Sequence, residues 1–169
     1  SNLFGKVYFP RLILPLSVVV SNFVKFLFTF LLFVVVLCFN LDKVGPNMHI
    51  LFVPLAIFIA AGLGLGFGIL VSSFTARYRD LKFLVQFGVQ LLMFLSPVIY
   101  PLSSVEGNLR TVILLNPMTS LIETFKYGMM GHGEFNIMHF VYSASFMILL
   151  LILSLTLFAK VERNFMDTV

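Results

Sequence analysis

The sequence predicts an all-α fold: a polytopic helical membrane protein with four transmembrane helices in a single domain, residues 1–169. The composition supports this, because 60% of the residues are hydrophobic and only 11% are charged, with a mean hydropathy of +1.06. Such totals are typical of membrane proteins. In addition, four glycines alternate from Gly62 to Gly68 inside one long apolar run. In a soluble helix each glycine costs roughly 1 kcal/mol relative to alanine, whereas small residues let membrane helices pack closely.

The first elements are an interfacial segment and a long apolar helix. Pro10 interrupts any helix through residues 1–12. The first span is expected at about 13–39, long enough to cross roughly 30 Å of hydrocarbon. Its polar side chains share one helical face; they are Ser17, Ser21, Asn22, Lys25 and Thr29. Lys25 has two interpretations: it faces an aqueous cavity in the bundle, or it extends to the cytoplasmic interface.

A turn rich in Asn, Gly and Pro at 40–48 leads into the second span, expected at about 49–74. Two stripes of small residues run along this helix and predict close packing against other helices: Gly62 with Gly66, and Ala60, Gly64, Gly68 and Ser72. We interpret the second stripe as a packing surface, because glycine offers a ligand little to hold. GLGLGFG does not predict a phosphate-binding loop, since no strand is expected before it and the pattern GxxxxGK followed by Ser or Thr occurs nowhere in the sequence.

The third span is expected at about 83–100. Gln86 and Gln90 lie one turn apart, so they should point together into the bundle or across an interface. A neighbouring stripe holds Phe83, Phe87 and Phe94. Pro97 is expected to kink or end this helix.

Residues 101–137 are too polar to cross the membrane and too amphipathic for a plain loop. Residues 103–106 match a capping box, and Asn116-Pro117 matches an N-cap followed by the first helical residue. An apolar stripe has helical spacing: Met118, Leu121, Ile122, Phe125 and Met129. Three glycines mark where this helix ends: Gly128, Gly131 and Gly133. We predict two short amphipathic helices at about 103–130, on or in the outer leaflet; the alternative is an ordinary external helical hairpin.

The last span is expected at about 138–158, followed by an amphiphilic cytoplasmic tail, 159–169. Lys and Arg decide the orientation, because cytoplasmic loops carry an excess of them. Seven lie on one side: Lys6, Arg11, Arg77, Arg79, Lys82, Lys160 and Arg163. Three lie on the other: Lys43, Arg110 and Lys126. Both ends of the chain are therefore expected in the cytoplasm.

The residues disfavour some classes of function and leave others open. The acidic residues are few and dispersed, which argues against a membrane-embedded enzyme. His49 has no second His or Cys at ligand spacing, so no metal site is expected, and Cys38, the single cysteine, is expected to be an inert apolar residue. The basic residues form no separate patch, so no nucleic-acid partner is expected. A transporter, a channel and a scaffold subunit remain.

Four segments resemble the type-2 permeases of ATP-binding-cassette exporters, in particular those that export lipid-linked polysaccharides such as O-antigen, capsule or teichoic-acid precursors. They are KVYFPRLILPLS (6–17), SSFTARYRDLKFLVQFGVQLLMFLSPVIYP (72–101), LLNPMTSLIETFKYGMMG (114–131) and VERNFMDTV (161–169). The resemblance implies about six spans, of which this chain would be the carboxy-terminal two-thirds. It also implies a homodimer in the bacterial cytoplasmic (inner) membrane. Two copies of a separate P-loop ATPase would bind ATP and Mg, so this chain would hold no cofactor and would not itself be an enzyme.

The resemblance also implies roles for particular residues. Coupling to the ATPase would fall to Lys6, Tyr8, Arg11, Arg77, Tyr78, Arg79 and Asp80. An external gate would be formed by Leu121, Ile122, Phe125 and Met129. The substrate path would be lined by aromatic and polar side chains that suit sugars: Asn22, Lys25, Phe87, Gln90, Phe94 and Tyr100. For each of these the alternative is helix packing, and Lys25 departs from the family pattern, in which an acidic or neutral residue is commoner.

The expected function is that of a transmembrane permease subunit that moves lipid-linked polysaccharide across the cytoplasmic membrane, driven by ATP hydrolysis in its partner. One alternative is a type-2 permease that exports drugs or other small hydrophobes. Another is a passive channel or a scaffold subunit. The partners expected are the ATPase, a second permease copy, the lipid bilayer and the lipid-linked glycan.

Overall fold

The computed structural model describes residues 13–40, 45–75 and 80–166, and all regular structure in these ranges is helical. The helices are α1 (Ile13–Cys38), α2 (Phe52–Thr75), α3 (Leu81–Phe94), α4 (Asn108–Leu115), α5 (Pro117–Met130) and α6 (Ile137–Met166). A 3₁₀ turn, Met48–Leu51, leads directly into α2. Three of the described stretches are long and apolar enough to cross a membrane: Leu16–Cys38, Met48–Thr75 and Ile137–Val161. The predicted all-helical membrane fold is confirmed at this level.

The long helices begin close to their predicted positions, but α6 continues beyond its expected end. The sequence predicted a span at 138–158 with a separate tail, whereas α6 remains helical to Met166. The physical reason is that no glycine or proline interrupts residues 137–166, so nothing in the local sequence stops the helix.

Helix α3 is shorter than predicted. The predicted span covered 83–100, but α3 ends at Phe94 and the chain then turns through Ser96 and Pro97. Tyr100 Oη donates a hydrogen bond to Phe94 O at 3.1 Å, which stabilises this turn beyond the end of the helix. The 14 residues of α3 extend about 21 Å at 1.5 Å per residue, less than the roughly 30 Å of a hydrocarbon core. That α3 crosses a membrane stays a prediction.

The core lies where α2, α5 and α6 meet, since these three helices pack against one another. Its buried side chains are Ala56, Ile59, Leu63, Leu121, Phe140, Met147 and Leu150. Polar contacts add to this packing, because Ser120 Oγ and Ser143 Oγ lie 2.6 Å apart and Ser143 Oγ donates to Pro117 O at 2.7 Å. Helix α1 packs mainly on α2, and most of its described side chains are exposed.

The two predicted small-residue stripes of α2 behave differently. A Cβ atom added at Gly62 would collide with Met147 Sδ, and one at Gly66 would lie 3.0 Å from Leu150 Cδ2. Close packing of this stripe against α6 is therefore confirmed. A Cβ at Gly64 or Gly68 would meet nothing within 4 Å. The prediction that these two glycines form a packing surface is wrong within the described chain, because the close neighbour, α6, lies on the other side of α2.

Gly128 marks the closest approach between α5 and the start of α2. A Cβ there would lie 2.7 Å from Val53 Cγ2 and 3.3 Å from the backbone atoms His49 O and Ile50 Cα. We expect Gly128→Ala to destabilise the protein by about 1–3 kcal/mol, because the backbone on that side cannot move as a side-chain tip can. Gly88→Ala is the matched control, since Gly88 also lies in a helix but has open space around it. Thermal unfolding in detergent measures both, and equal midpoints for the two variants would contradict this account.

Candidate functional site

A cavity of about 810 Å³ lies between α1, α2 and α5. Helix α1 contributes Asn22, Phe23 and Phe26 to its wall. Helix α2 contributes the small residues Ala60, Gly64, Gly68 and Ser72, and α5 contributes Met118, Leu121, Ile122 and Phe125. Most of the wall is therefore apolar, with Asn22 and Ser72 as polar exceptions.

The cavity has room because most of the residues that α2 contributes to its wall are small, with Ile57 as the exception. Ala60, Gly64, Gly68 and Ser72 follow one another at four-residue spacing, so they share a face of the helix. Larger side chains at these positions would fill the space that α1 leaves open. The stripe that the sequence indicated as a packing surface is thus part of the wall of a cavity.

Phenylalanine rings connect α1 with α5 beside this cavity. Along α1, ring centroids are 6.2 Å apart for Phe23–Phe26, 5.8 Å for Phe26–Phe30 and 6.4 Å for Phe30–Phe33. Phe125 of α5 lies 6.1 Å from the Phe30 ring and 5.7 Å from the Phe33 ring. These spacings fall in the range of favourable aromatic pairs. The phenylalanines of α1 were not among the predicted site residues, although their spacing of three and four residues follows one face of a helix.

The structure does not bring the six predicted path residues together. Asn22 lines the cavity, whereas the other five are absent from its wall. Phe87, Gln90 and Phe94 are exposed on α3. Lys25 is also exposed, and its carbonyl accepts a hydrogen bond from Thr29 Oγ1 at 3.1 Å. The roles assigned to these residues stay predictions.

The predicted gate residues on α5 divide into two groups. Ile122 and Phe125 line the cavity and are partly buried. Leu121 is buried, belongs to the core and also reaches the cavity, while Met129 is buried. Of the predicted coupling residues, Asp80 is exposed at the N-cap of α3 without a side-chain capping bond. The rest lie outside the described residues: Lys6, Tyr8, Arg11, Arg77, Tyr78 and Arg79.

The predicted start of α5 is confirmed, but the predicted start of α4 is wrong. Asn116 Oδ1 accepts from Met118 N at 3.0 Å, with Pro117 as the first helical residue. The expected capping box at 103–106 does not form; a 3₁₀ turn occupies Leu102–Ser104, and α4 begins only after Gly107. The 3₁₀ turn places the Leu102 side chain in the interior, where it is 3% exposed. This burial explains why the capping box does not form.

The predicted end of α5 is confirmed only in part. Gly131 adopts the left-handed conformation at the C-cap, with φ of 70°. Gly128 instead lies inside the helix, where it allows the close approach to the start of α2.

An ion pair on α5, with a buried acid and a partly buried base, was not among the features predicted from the sequence. Glu123 is 3% exposed, and its Oε1 lies 3.3 Å from Lys126 Nζ. Its Oε2 accepts from Glu134 N at 3.1 Å. Lys126 Nζ also donates to Pro97 O, in the turn after α3. The available signal was the three-residue spacing of an acid and a base on an amphipathic helix.

Every buried polar side-chain atom in the described ranges has a hydrogen-bond partner. Within the same ranges, no group of three or more His, Cys, Asp or Glu residues is placed to hold a metal ion. The site is therefore a cavity with a mostly apolar wall, next to a helix whose buried Glu123 pairs with the partly buried Lys126.

Comparison with known proteins relates this chain to exporters. The sequence profile described as "ABC-2 type transporter" matches residues 2–130. A Myxococcus xanthus protein named "O-antigen export system permease protein RfbA" is 31% identical over 128 residues, which are 74% of this chain and 48% of that protein. Two Klebsiella pneumoniae proteins with the same name are 25% identical over 171 and 172 residues, which are 99% of this chain and 64% of each relative. The chain thus spans less than two-thirds of the length of these relatives.

Proposed function

Because this chain belongs to the ABC-2 type transporter family, we propose that it is the permease subunit of an ATP-driven exporter that moves lipid-linked polysaccharide across the bacterial cytoplasmic membrane. The observation that carries the proposal is the similarity, over 99% of the chain, to proteins named for O-antigen export. The cavity agrees with it, since it lies between two helices that are long and apolar enough to span a membrane and a shorter amphipathic helix.

The chemistry of the cavity suits the cargo. Phenyl rings contact the CH-rich faces of sugars and the hydrocarbon of a lipid carrier equally well, while Asn22 and Ser72 offer hydrogen bonds to hydroxyl groups. In this proposal a second permease copy completes the path. The exposed face of α3 with Phe87, Gln90 and Phe94 then forms a further wall.

The energy source lies in another chain in this proposal. The sequence contains no P-loop pattern, so a separate ATPase, in two copies, would bind ATP and Mg. Closure of that ATPase would displace the cytoplasmic ends of the helices, including Asp80 at the start of α3. Both ends of this chain would then lie in the cytoplasm.

A second candidate is an exporter of drugs or other small hydrophobes. The mostly apolar wall of the cavity favours it, because such pockets bind apolar ligands by excluding water. The two candidates differ in what a deletion strain accumulates: lipid-linked glycan inside the cell for the polysaccharide exporter, and the unexported small compound for the other.

The deciding experiment combines deletion with purification of the complete permease from its own membrane. We expect the deletion strain to lose surface glycan and to accumulate the lipid-linked form. We also expect the purified protein to bring down a P-loop ATPase and lipid-linked sugar, both identified by mass spectrometry. Unchanged surface glycan together with a permease that never associates with an ATPase would contradict the proposal and leave a passive channel or scaffold.

Filling the cavity tests whether it is the transport site. Gly68→Leu places a side chain where no atom lies within 4 Å, so the fold should tolerate it while the cavity loses volume. We expect export to fall about tenfold or more, because the added side chain occupies space that the cargo needs. A loss of about 1.4 kcal/mol in cargo binding corresponds to a factor of ten. Gly88→Leu is the control, because it adds the same side chain on α3, away from the cavity. Export rates are measured and normalised to the amount of permease in the membrane. Normal export by Gly68→Leu would show that the cavity is not the transport path.

A further inference from the structure

Helix α3 is joined to the other described helices by few contacts along its length. It contacts α2, but none of its described side chains is buried. Leu84 and Phe94, near its two ends, are 69% and 65% exposed. The turn that follows is different, because Ser96 and Pro97 are both buried.

Two side chains of the α5 region hold this turn. Asn116 Nδ2 donates to Ser96 Oγ at 3.0 Å, and Lys126 Nζ donates to Pro97 O. The two residues are ten positions apart, about 15 Å along a helix. Both attachments hold adjacent residues of the turn, Ser96 and Pro97, and reach them from two places in the α5 region, so the turn is held from two directions.

Glu123 determines where the Lys126 ammonium group lies. Its carboxylate is buried and accepts from Lys126 and from Glu134 N, so it is held from two sides. Gly133 lets the loop come this close, because a Cβ there would lie 3.0 Å from Glu123 Oε2 and its φ is 122°. An ammonium group with a buried counter-ion in a fixed place makes a directional attachment, unlike the exposed ion pairs of a surface.

Helix α5 itself is part of the core. Leu121 packs between α2 and α6, and Thr119 and Thr124 are buried with their hydroxyl groups bonded to backbone carbonyls. An attachment to α5 is therefore an attachment to a helix that packs against both α2 and α6 in the core.

We propose that Lys126, positioned by Glu123, pins the turn at Ser96 and Pro97 to the core and makes this turn a pivot about which α3 swings during transport. Lys126 is thus a positioning residue. Because α3 has few contacts with the other described helices along its length, its start would move while its end stays in place, as in a hinge transition. This inference rests on the proposed transport function, since it assumes a cycle that displaces α3.

Spin-label distances in the complete transporter test the pivot. Cys38 and any cysteine elsewhere in the complete transporter are replaced with Ser, and pairs of labels are placed on exposed positions: Leu84 with Ile148, and Ile99 with Ile148. Dilution with unlabelled permease limits the signal to pairs within one chain. We expect the distance from Leu84 to shift between the nucleotide-free and the vanadate-trapped states, and the distance from Ile99 to stay unchanged.

In the second part of the experiment, the two contacts that hold the turn at Ser96 and Pro97 are removed. The triple variant S96A/E123Q/K126M breaks both contacts, and Gln at 123 still offers an oxygen to Glu134 N, so no charge is left buried alone. We expect the Ile99 distance to broaden and to become nucleotide-dependent, with loss of export, while ATP hydrolysis continues. Arg110→Met is the matched control, because it removes an exposed ion pair with Glu134 in the same region.

The outcomes separate the pivot from the cargo. If Ile99 moves as far as Leu84 in the unmodified transporter, or if the triple variant leaves the Ile99 distance unchanged, the pivot is wrong. If the distances behave as expected while no lipid-linked glycan is exported, the pivot stands and the proposed cargo is wrong.

Discussion

Replacing Lys126 with Met is expected to destabilise the protein by about 3 kcal/mol, because the buried Glu123 carboxylate loses its counter-ion, while the Lys126 side chain is itself 22% exposed in the pair. The charge left behind is the Glu123 carboxylate, which is 3% exposed and would keep only the hydrogen bond from Glu134 N. Pro97 O would lose its donor in the same step. This single change therefore combines an unpaired buried charge with the loss of one of the two contacts that hold the turn after α3.

The double variant E123Q/K126M distinguishes this explanation from a simple loss of packing. It removes both charges, and replacing a buried pair by neutral groups of similar volume is often close to neutral for stability. We therefore expect the double variant to recover most of the stability that Lys126→Met loses. Arg110→Met should cost about 1 kcal/mol or less, because its partner Glu134 and Arg110 itself are exposed.

Chemical unfolding in detergent micelles measures all of these variants under one condition. A double variant as unstable as Lys126→Met would show that the Lys126 side chain acts through packing rather than through its charge. Equal stability of Lys126→Met and Arg110→Met would show that the ion pair contributes no more than a surface pair.

The elements that the sequence predicted well depend on local signals. Helix α1 spans Ile13–Cys38, against a predicted 13–39, because a long apolar run without Gly, and with its one proline (Pro15) in the first turn, leaves only one solution in a membrane. The start of α5 was also predicted, since Asn116 and Pro117 determine an N-terminus through their own side chains. The left-handed Gly131 at the end of α5 is a third case.

The features that were missed depend on neighbours far away in the sequence. Whether Gly64 packs or stays open depends on which side of α2 α6 occupies, and the four-residue spacing is the same in both cases. The predicted capping box at 103–106 competed with burial of Leu102, which only the folded chain reveals. Similarly, the sequence shows Glu123 only as one of a few dispersed acidic residues, because its burial depends on the loop at Gly133 and Glu134.

The residues of the candidate site, too, were predicted only where the sequence carries a local signal. Asn22 was predicted from the polar face of the first span and does line the cavity, and Phe125 was predicted from the apolar stripe of α5. Much of the wall that α2 forms consists of small residues, whose contribution is the volume that they leave free. A residue whose role is to leave space carries no chemical signal in the sequence.

Phe125→Asp is expected to abolish export with the protein still present in the membrane. Phe125 is partly buried, lines the cavity and contacts the rings of Phe30 and Phe33. The substitution removes these ring contacts and places a carboxylate against an apolar wall, and together these changes cost about 2–4 kcal/mol. A loss of that size shifts the docking of α5 against α1 by a factor of roughly 30 to 1,000.

Two matched variants show whether the effect comes from this position. Phe125→Leu keeps an apolar side chain and should retain most of the export, because only the ring contacts are lost. Phe39→Asp introduces the same charge at a phenylalanine that is 85% exposed, and we expect normal export. Surface glycan is measured against the amount of permease in the membrane for each strain. Normal export by a well-expressed Phe125→Asp protein would mean that α5 does not need its contact with α1. The predicted gating role of α5 would then depend on the opposite side of the helix, where Leu121 and Met129 are buried.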